Sequence, residues 1–245
     1  MSASMETPPL TLLEGAALFL DFDGTLVELA ETPDGIEVAP ELPALLRKVC
    51  RRLEGRLGII SGRSIGDIER HMDCTGLALS GSHGLELRLA NGEHVPLAAP
   101  VDLSEARERI ADFASGTAGL LVEDKPRSVA IHYRQAPEEV ERVKEFMSRL
   151  ARKNGLAVQA GKMVLELRPR GADKGDTLRA FMAEPEFAGA RPVFVGDDVT
   201  DEDAFEAASA MGGGGILVGA ERATAAQWRL PDVSSVERWL GEAAR

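Results

Sequence analysis

Asp21 and Asp23 stand two positions apart at the end of the apolar run Ala16–Leu20, in the string Asp21-Phe22-Asp23-Gly24-Thr25. In an extended chain residues i and i+2 point to one side, so both carboxylates can converge beyond a strand end. Two acids this close need a cation or a shared proton. A solvated turn is the plain alternative, since Asp and Gly are common turn residues. A calcium-binding EF-hand loop is excluded: Gly24 falls at the wrong loop position, and a strand rather than a helix precedes it. A second acidic cluster, Asp197-Asp198-Val199-Thr200-Asp201-Glu202-Asp203, places five acids in seven positions after the apolar Pro192-Val193-Phe194-Val195. Thr200 as a helix N-cap, with first-turn acids favouring the helix dipole, accounts for Asp201, Glu202 and Asp203 but less well for Asp197 and Asp198. Two strand-end carboxylate clusters facing one crevice make a hard, oxygen-only site suited to Mg²⁺. Ser61, followed by Gly62 and Arg63, offers a hydroxyl and backbone N–H groups at another strand end. Lys174 opens a later helix, and together they would complete a phosphate pocket. Taken singly, they read as an N-cap serine and a helix-surface lysine.

The elements that must position these residues follow from apolar spacing. Short apolar runs bounded by Gly and polar residues predict strands buried on both faces at 16–20, 57–60, 192–195 and 216–218. Leu42, Leu45, Leu46, Val49 and Leu53 recur at helical spacing after Pro40, and Ser64 caps a helix carrying Ile65 and Ile68. A helix at about 174–182 and a terminal one containing Val236, Trp239 and Leu240 complete an alternation typical of a doubly wound parallel α/β sheet. The middle reads differently: helix 104–114, strands 120–122 and 129–133, helix 137–153, strands 157–159 and 163–165. That αββαββ order predicts a smaller α+β domain of about 70 residues, inserted into the core.

With Lys+Arg 28 against Asp+Glu 40, the 245-residue chain carries a formal charge of −12, which argues against a nucleic-acid or membrane-surface partner. Apolar residues are 44% of the chain, enough for a sizeable core. No apolar run approaches the roughly 18 residues of a membrane span, and the first residues lack signal-peptide features. Cys50 and Cys74, the only cysteines, give neither a disulfide scaffold nor metal-ligand spacing. These features predict a soluble cytoplasmic protein. The run 212–215 lacks the Lys-Ser/Thr of a phosphate-binding loop, and Ser82 lies one glycine short of a nucleophile elbow.

In order along the chain, Asp21-Phe22-Asp23-Gly24-Thr25-Leu26, Ser61-Gly62-Arg63, Lys174 and Gly196-Asp197-Asp198 resemble the four motifs of the haloacid-dehalogenase (HAD)-like phosphohydrolases. The first motif is highly specific. The insert falls between the second and third motifs, where that superfamily places αββ-type caps. Further strings are similar to those of the trehalose-6-phosphate phosphatases. They are Gly81-Ser82-His83-Gly84-Leu85-Glu86, Glu123-Asp124-Lys125 with His132-Tyr133-Arg134, 161–169, and Gly196-Asp197-Asp198-Val199-Thr200-Asp201-Glu202. They span nearly the whole chain without departure at a motif position.

The resemblance implies a Rossmann-like HAD core of residues 1–101 and 172–245 and a cap of residues 102–171. It implies an aspartyl-phosphate formed on Asp21, with Asp23 protonating the leaving sugar oxygen and then activating water. Mg²⁺ would be held by Asp21, the Asp23 backbone carbonyl and Asp197, with Asp198 and Asp201 in or near that shell. Ser61, Gly62 and Arg63 would orient the phosphoryl group, and Lys174 would offset its charge. In the cap, Glu123, Lys125 and Glu166 would read the sugar, with Arg168, His132 and Lys162 as further candidates and a solvated strand face as the alternative for each. His83 would brace a loop near the cap hinge. The implied reaction converts trehalose 6-phosphate to trehalose and phosphate in a monomer, with a trehalose-phosphate synthase as separate functional partner. The rivals are another sugar phosphate (sucrose 6-phosphate, mannosyl-3-phosphoglycerate) or a catalytically silent regulatory module.

Overall fold

The computed structural model describes residues 5–30, 35–95, 102–125, 128–161, 163–169 and 173–245. Lys162, the side chain of His83 and the residues flanking both ends of the insert lie outside what is described. The chain divides into two compact units, Met1–Leu97 with Ala172–Arg245, and Ala98–Gly171.

The first unit is built on β1 (Ala16–Leu20), buried along its whole length. It pairs in parallel with β2 (Leu57–Ile60) on one side and β9 (Arg191–Gly196) on the other. Beyond β2 lie β3 (Ala78–Gly81) and the short antiparallel β4 (Glu86–Arg88). Beyond β9 lie β10 (Gly214–Val218) and β11 (Trp228–Leu230), giving the order β11-β10-β9-β1-β2-β3-β4. The doubly wound parallel sheet expected from the sequence is thus present, with β4 as its antiparallel edge.

Alternation along β1 feeds two cores. Leu18 and Leu20 join Leu46 and Val49 of α1 (Leu42–Arg52), Ile65 and Ile68 of α2 (Ile65–His71), and Val236 and Leu240 of α7 (Val233–Ala243) on one face. On the other face Phe19 meets Phe181 of α5 (Lys174–Ala183) at 5.4 Å and Phe187 at 5.3 Å between ring centroids. Phe205 of α6 (Glu202–Ala210) closes the same layer against Phe194. Covering both faces is what allows a parallel sheet to be apolar throughout.

The second unit follows the expected αββαββ order: α3 (Ser104–Ser115), β5 (Leu121–Lys125), β6 (Ser128–His132), α4 (Val140–Asn154), β7 (Leu156–Gly161) and β8 (Val164–Pro169). Its sheet is antiparallel, in the order β5-β6-β8-β7. Val129, Ile131, Leu165 and Leu167 pack with Ile110 of α3 and Val143 and Met147 of α4 into a separate core. Among the described residues no helix is long and apolar enough to cross a membrane.

Candidate active site

Three adjacent parallel strands end side by side, and each delivers one candidate segment. Asp21 follows β1, Ser61 follows β2, and Asp197 follows β9. The chain leaves β1 toward β2 on one side and returns as β9 on the other, so Asp21 and Asp197 flank the point where strand order reverses. Open α/β sheets bind ligands at that crevice.

The loop after β1 is shaped by its glycine. Gly24 has φ +77°, and a Cβ there would stand 2.2 Å from Asp197 Oδ2, so any side chain would displace that carboxylate. Leu26 and Val27 N–H groups donate to the Phe22 carbonyl and close the turn. Thr25 Oγ1 donates to Asp197 Oδ1 at 3.5 Å.

Lys174 is the first residue of α5, whose N-cap Asp173 accepts a bond from Asp176 N–H. It is not a helix-surface lysine: only 4% of its side chain is exposed. Its Nζ lies 2.9 Å from Asp21 Oδ1 and 2.5 Å from Asp201 Oδ1. Asp201 is wholly buried, and Gly196 leaves it room, since a Cβ there would be 2.4 Å from Asp201 Oδ2. Burial by itself would depress the Lys174 ammonium, but the Asp21 and Asp201 carboxylates outweigh it and hold its pKa above the ordinary value. Burial raises the Asp21 carboxyl well above the carboxylate range, against the pull of Lys174 and reinforced by Asp201. Asp197 is pushed up to about 6, first by burial and then by repulsion from Asp201. Asp21, Asp197 and Asp201 each bring a carboxylate oxygen within 4.8 Å of the others. Three carboxylates against one ammonium leave a deficit of positive charge that a hard divalent cation would fill.

Of the other two predicted metal-site residues, Asp23, expected to offer its backbone carbonyl, and Asp198 both have their carboxylates engaged by other groups. Asp23 accepts from Arg63 Nε at 2.7 Å and Nη2 at 2.8 Å, a bidentate pair. Asp198, not Thr200, caps the 3₁₀ turn Val199–Asp201 that leads into α6: it accepts from Val199 N–H at 2.6 Å while Asp201 Oδ2 accepts from Asp198 N–H at 2.9 Å, a capping box. Thr200 sits inside the turn that Asp198 caps. Asp201 therefore joins the cluster as a buried partner of Lys174, not as a dipole-facing surface acid.

Ser61 is buried, and its Oγ accepts from Arg63 N–H at 3.1 Å. The guanidinium of Arg63, expected with Ser61 and Gly62 to orient a phosphoryl group, spans Asp23 and Asp67, the latter at 2.8 Å from Nη1. Hydrogen bonds to Asp23 raise the Arg63 pKa against its burial. Sequence reasoning missed Asp67, although its i+4 spacing from Arg63 was the available signal. It also missed Arg222, which donates to the Asp198 carbonyl at 2.8 Å and pairs with Glu202. Twenty residues separate Arg222 from Glu202, and no local pattern links them.

In the second unit the strand register lines up Glu123, Ala130, Glu166 and Gln159 across the sheet. Alternation then places Lys125, His132 and Arg168 on that same face, opposite the apolar face covered by α3 and α4. Lys125 Nζ is 3.1 Å from Glu166 Oε2 and 3.9 Å from Glu123 Oε2, and His132 Nε2 is 2.8 Å from Glu123 Oε2. Of the sequence-predicted sugar readers, Glu123, Lys125, Glu166 and His132 thus form one interlinked polar cluster.

The profile of the trehalose-phosphatase family matches residues 19–234. A probable trehalose-phosphate phosphatase of Sinorhizobium fredii is 39% identical over 211 residues, covering 85% of this chain and 80% of its own. The trehalose-6-phosphate phosphatase of Escherichia coli is 37% identical over 241 residues, covering 96% and 88%. The solved C-terminal domain of the Candida albicans trehalose-6-phosphate phosphatase superposes with a TM-score of 0.76 at 25% identity, covering 100% of this chain and 99% of that one. With the family profile spanning nearly its full length and two such relatives alongside, the chain belongs to the trehalose-phosphatase family.

Proposed function

We propose that the chain hydrolyses trehalose 6-phosphate to trehalose and phosphate, with Asp21 as the nucleophile. One observation carries the chemistry: a buried Lys174 joins Asp21 to Asp201 beside Asp197, at the end of adjoining parallel strands. Family membership carries the substrate.

An Asp21 carboxylate oxygen attacks phosphorus, the bond to the sugar oxygen breaks, and that oxygen takes a proton from Asp23. Water then attacks the aspartyl-phosphate, Asp23 takes the proton back, and phosphate leaves with Asp21 restored. Arg63 donates to both carboxyl oxygens of Asp23. A guanidinium offers donors only, so a protonated Asp23 must loosen one of those bonds before it donates. Lys174 fixes the orientation of Asp21 and offsets charge on the incoming phosphate. Ser61 accepts from Arg63 N–H, which leaves its O–H to donate to a phosphoryl oxygen.

Asp21, Asp197 and Asp201 would hold Mg²⁺, with the Asp23 backbone carbonyl and Asp198 as further candidates. When bound, Mg²⁺ supplies charge neutralisation for a dianion approaching several carboxylates. The sugar is read by Glu123, Lys125 and Glu166, with His132 and Arg168 beside them. Alternating acids and bases on one face offer acceptors and donors to a hydroxyl-rich disaccharide. The insert acts as the substrate-specificity cap. The same reading places the enzyme in the cytoplasm as a monomer, supplied by a separate trehalose-phosphate synthase.

Rapid-quench reaction with trehalose 6-phosphate labelled in its phosphoryl group tests the covalent step. Label is expected on the Asp21 peptide in the wild type and absent from Asp21→Asn. Turnover with label on no residue, in trials that resolve single turnovers, would remove Asp21 from the role.

A further inference from the structure

The string Gly81-Ser82-His83-Gly84-Leu85-Glu86 marks the family resemblance, yet none of its residues enters the chemistry above. Its geometry gives it a task. Residues 81–86 run from the end of β3 into β4, and they touch the two segments that carry Ser61 and Lys174. Toward the first, Ser82 N–H donates to the Arg63 carbonyl at 2.7 Å. Glu86 Oε2 accepts from Ile65 N–H at 3.1 Å, and Glu86 Oε1 accepts from Ser82 Oγ at 2.6 Å. One carboxylate thus ties the exit of the Ser61 loop to the turn itself. Gly81 allows the close approach, because a Cβ there would stand 2.5 Å from Ile65 N. Toward the second segment, Gly84 (φ +86°) packs on the first turn of α5, where a Cβ would meet Thr177 Oγ1 at 2.1 Å. Thr177 Oγ1 in turn donates to the carbonyl of Asp173, the residue before Lys174. Ser82 holds φ +52°, a strained backbone for a residue with a side chain, which persists only where the surroundings impose it.

We propose that residues 81–86 are a spacer that fixes the separation of the Ser61 loop from Lys174, with Glu86 as its positioning residue. The inference rests on the reading that Ser61 and Lys174 both address the phosphoryl group. A dianion held between a loop and a helix start is sensitive to their spacing, and displacements of the order of an ångström are expensive. Glu86 itself touches no reacting atom; it acts through the backbone of Arg63 and Ile65.

The test compares Glu86→Ala, Glu86→Gln and Ser82→Ala with the wild type. The readouts are kcat and KM for p-nitrophenyl phosphate and trehalose 6-phosphate, the inhibition constant of inorganic phosphate, and thermal melting. Glu86→Ala is expected to fold, to lower kcat by about 10–100-fold and to raise the phosphate inhibition constant about 10-fold. Glu86→Gln keeps a carbonyl for Ile65 N–H and is expected to stay within about threefold of wild type. Ser82→Ala keeps the backbone bond to Arg63 but loses the hydroxyl bond, and is expected to raise the phosphate inhibition constant by about threefold. Should Glu86→Ala fail to fold, Ser82→Ala decides: an unchanged phosphate inhibition constant overturns the proposal. So do kcat, KM and inhibition constants in folded Glu86→Ala within about twofold of wild type, or losses that merely follow the folded fraction. Wild-type protein that cleaves neither ester would instead overturn the phosphatase reading on which the proposal stands.

Discussion

Lys174 and its three carboxylates set the electrostatics at the scale of single residues. Replacing it by Met leaves Asp21 and Asp201 facing each other in the interior without a counter-charge. Breaking a buried pair in this way costs about 3–5 kcal/mol, so Lys174→Met is expected to lower the melting temperature as well as abolish turnover. Differential scanning calorimetry with a phosphate-release assay on the same preparation checks both. Asp197 gives a pH-dependent prediction. Its carboxyl is raised from 3.8 to about 6, chiefly by burial, so the folded chain binds this proton more tightly than the unfolded chain. In EDTA that contribution to stability is therefore present at low pH and lost as pH rises from about 4 to 6. Asp197→Asn is expected to melt higher than wild type at pH 7 in EDTA and to lose that advantage at pH 4; melts at the two pH values measure it. Equal melting of the two proteins at pH 7 would show that Asp197 bears no such penalty. The carboxylates themselves were legible in the sequence, because acids at the end of an apolar strand are poorly explained by turn chemistry. Their division of labour was not: Asp198 and Thr200 are both good N-caps, and only the backbone decides that Asp198 takes that place.

At the scale of elements, glycines decide how closely the pieces approach. Gly24→Ala would place a Cβ against Asp197 Oδ2 at a positive φ, so it is expected to abolish metal-dependent activity while the strands remain intact. Far-UV circular dichroism and a Mg²⁺ titration of activity separate the two effects. Within the run 212–215, featureless as sequence, Gly213, Gly214 and Gly215 serve close packing. A Cβ at Gly213 would fall 1.7 Å from the Pro192 carbonyl, at Gly214 2.5 Å from the Trp228 ring, and at Gly215 2.6 Å from the Phe205 ring. Gly215→Ala is expected to cost about 1–3 kcal/mol through overpacking, with activity per folded molecule unchanged. Chemical denaturation with active-site titration measures this. The strands at 16–20, 57–60 and 192–195 were readable because apolar runs of four or more residues carry their own signal, and the αββαββ insert because two helical stretches alternate with pairs of short apolar runs. β4 and β11, three residues each at the sheet edges, are too short to show a period, and β3 sets a single large apolar residue, Leu79, among the small Ala78, Ser80 and Gly81, which read equally as loop.

For the whole molecule, the chain interrupts a doubly wound core with a second unit whose polar sheet face gathers the residues assigned to the sugar. If that face reads the disaccharide, the two units divide the work, and substitutions should separate along the same line. Lys125→Ala and Glu166→Gln are expected to raise KM for trehalose 6-phosphate about 10-fold or more while sparing p-nitrophenyl phosphate, because a site built to bond hydroxyls discriminates through those bonds. Substitutions at Asp21 or Lys174 are expected to abolish both activities. A KM for trehalose 6-phosphate that ignores Lys125 and Glu166 would leave the polar face a solvated surface. The order of the motifs was legible from sequence alone. The cross-strand alignment of Glu123 with Glu166 was not, because register between strands more than forty residues apart is set by the folded sheet.

The most direct measurement is phosphate release by the purified chain from trehalose 6-phosphate and from glucose 6-phosphate, each with Mg²⁺ and with EDTA. Release from trehalose 6-phosphate that is fast with Mg²⁺, silent in EDTA and far slower from glucose 6-phosphate is the expected result. Equal release from both esters would contradict the substrate, and no release from either by folded, Mg²⁺-supplied protein would contradict the catalytic reading of Asp21, Lys174, Asp197 and Asp201.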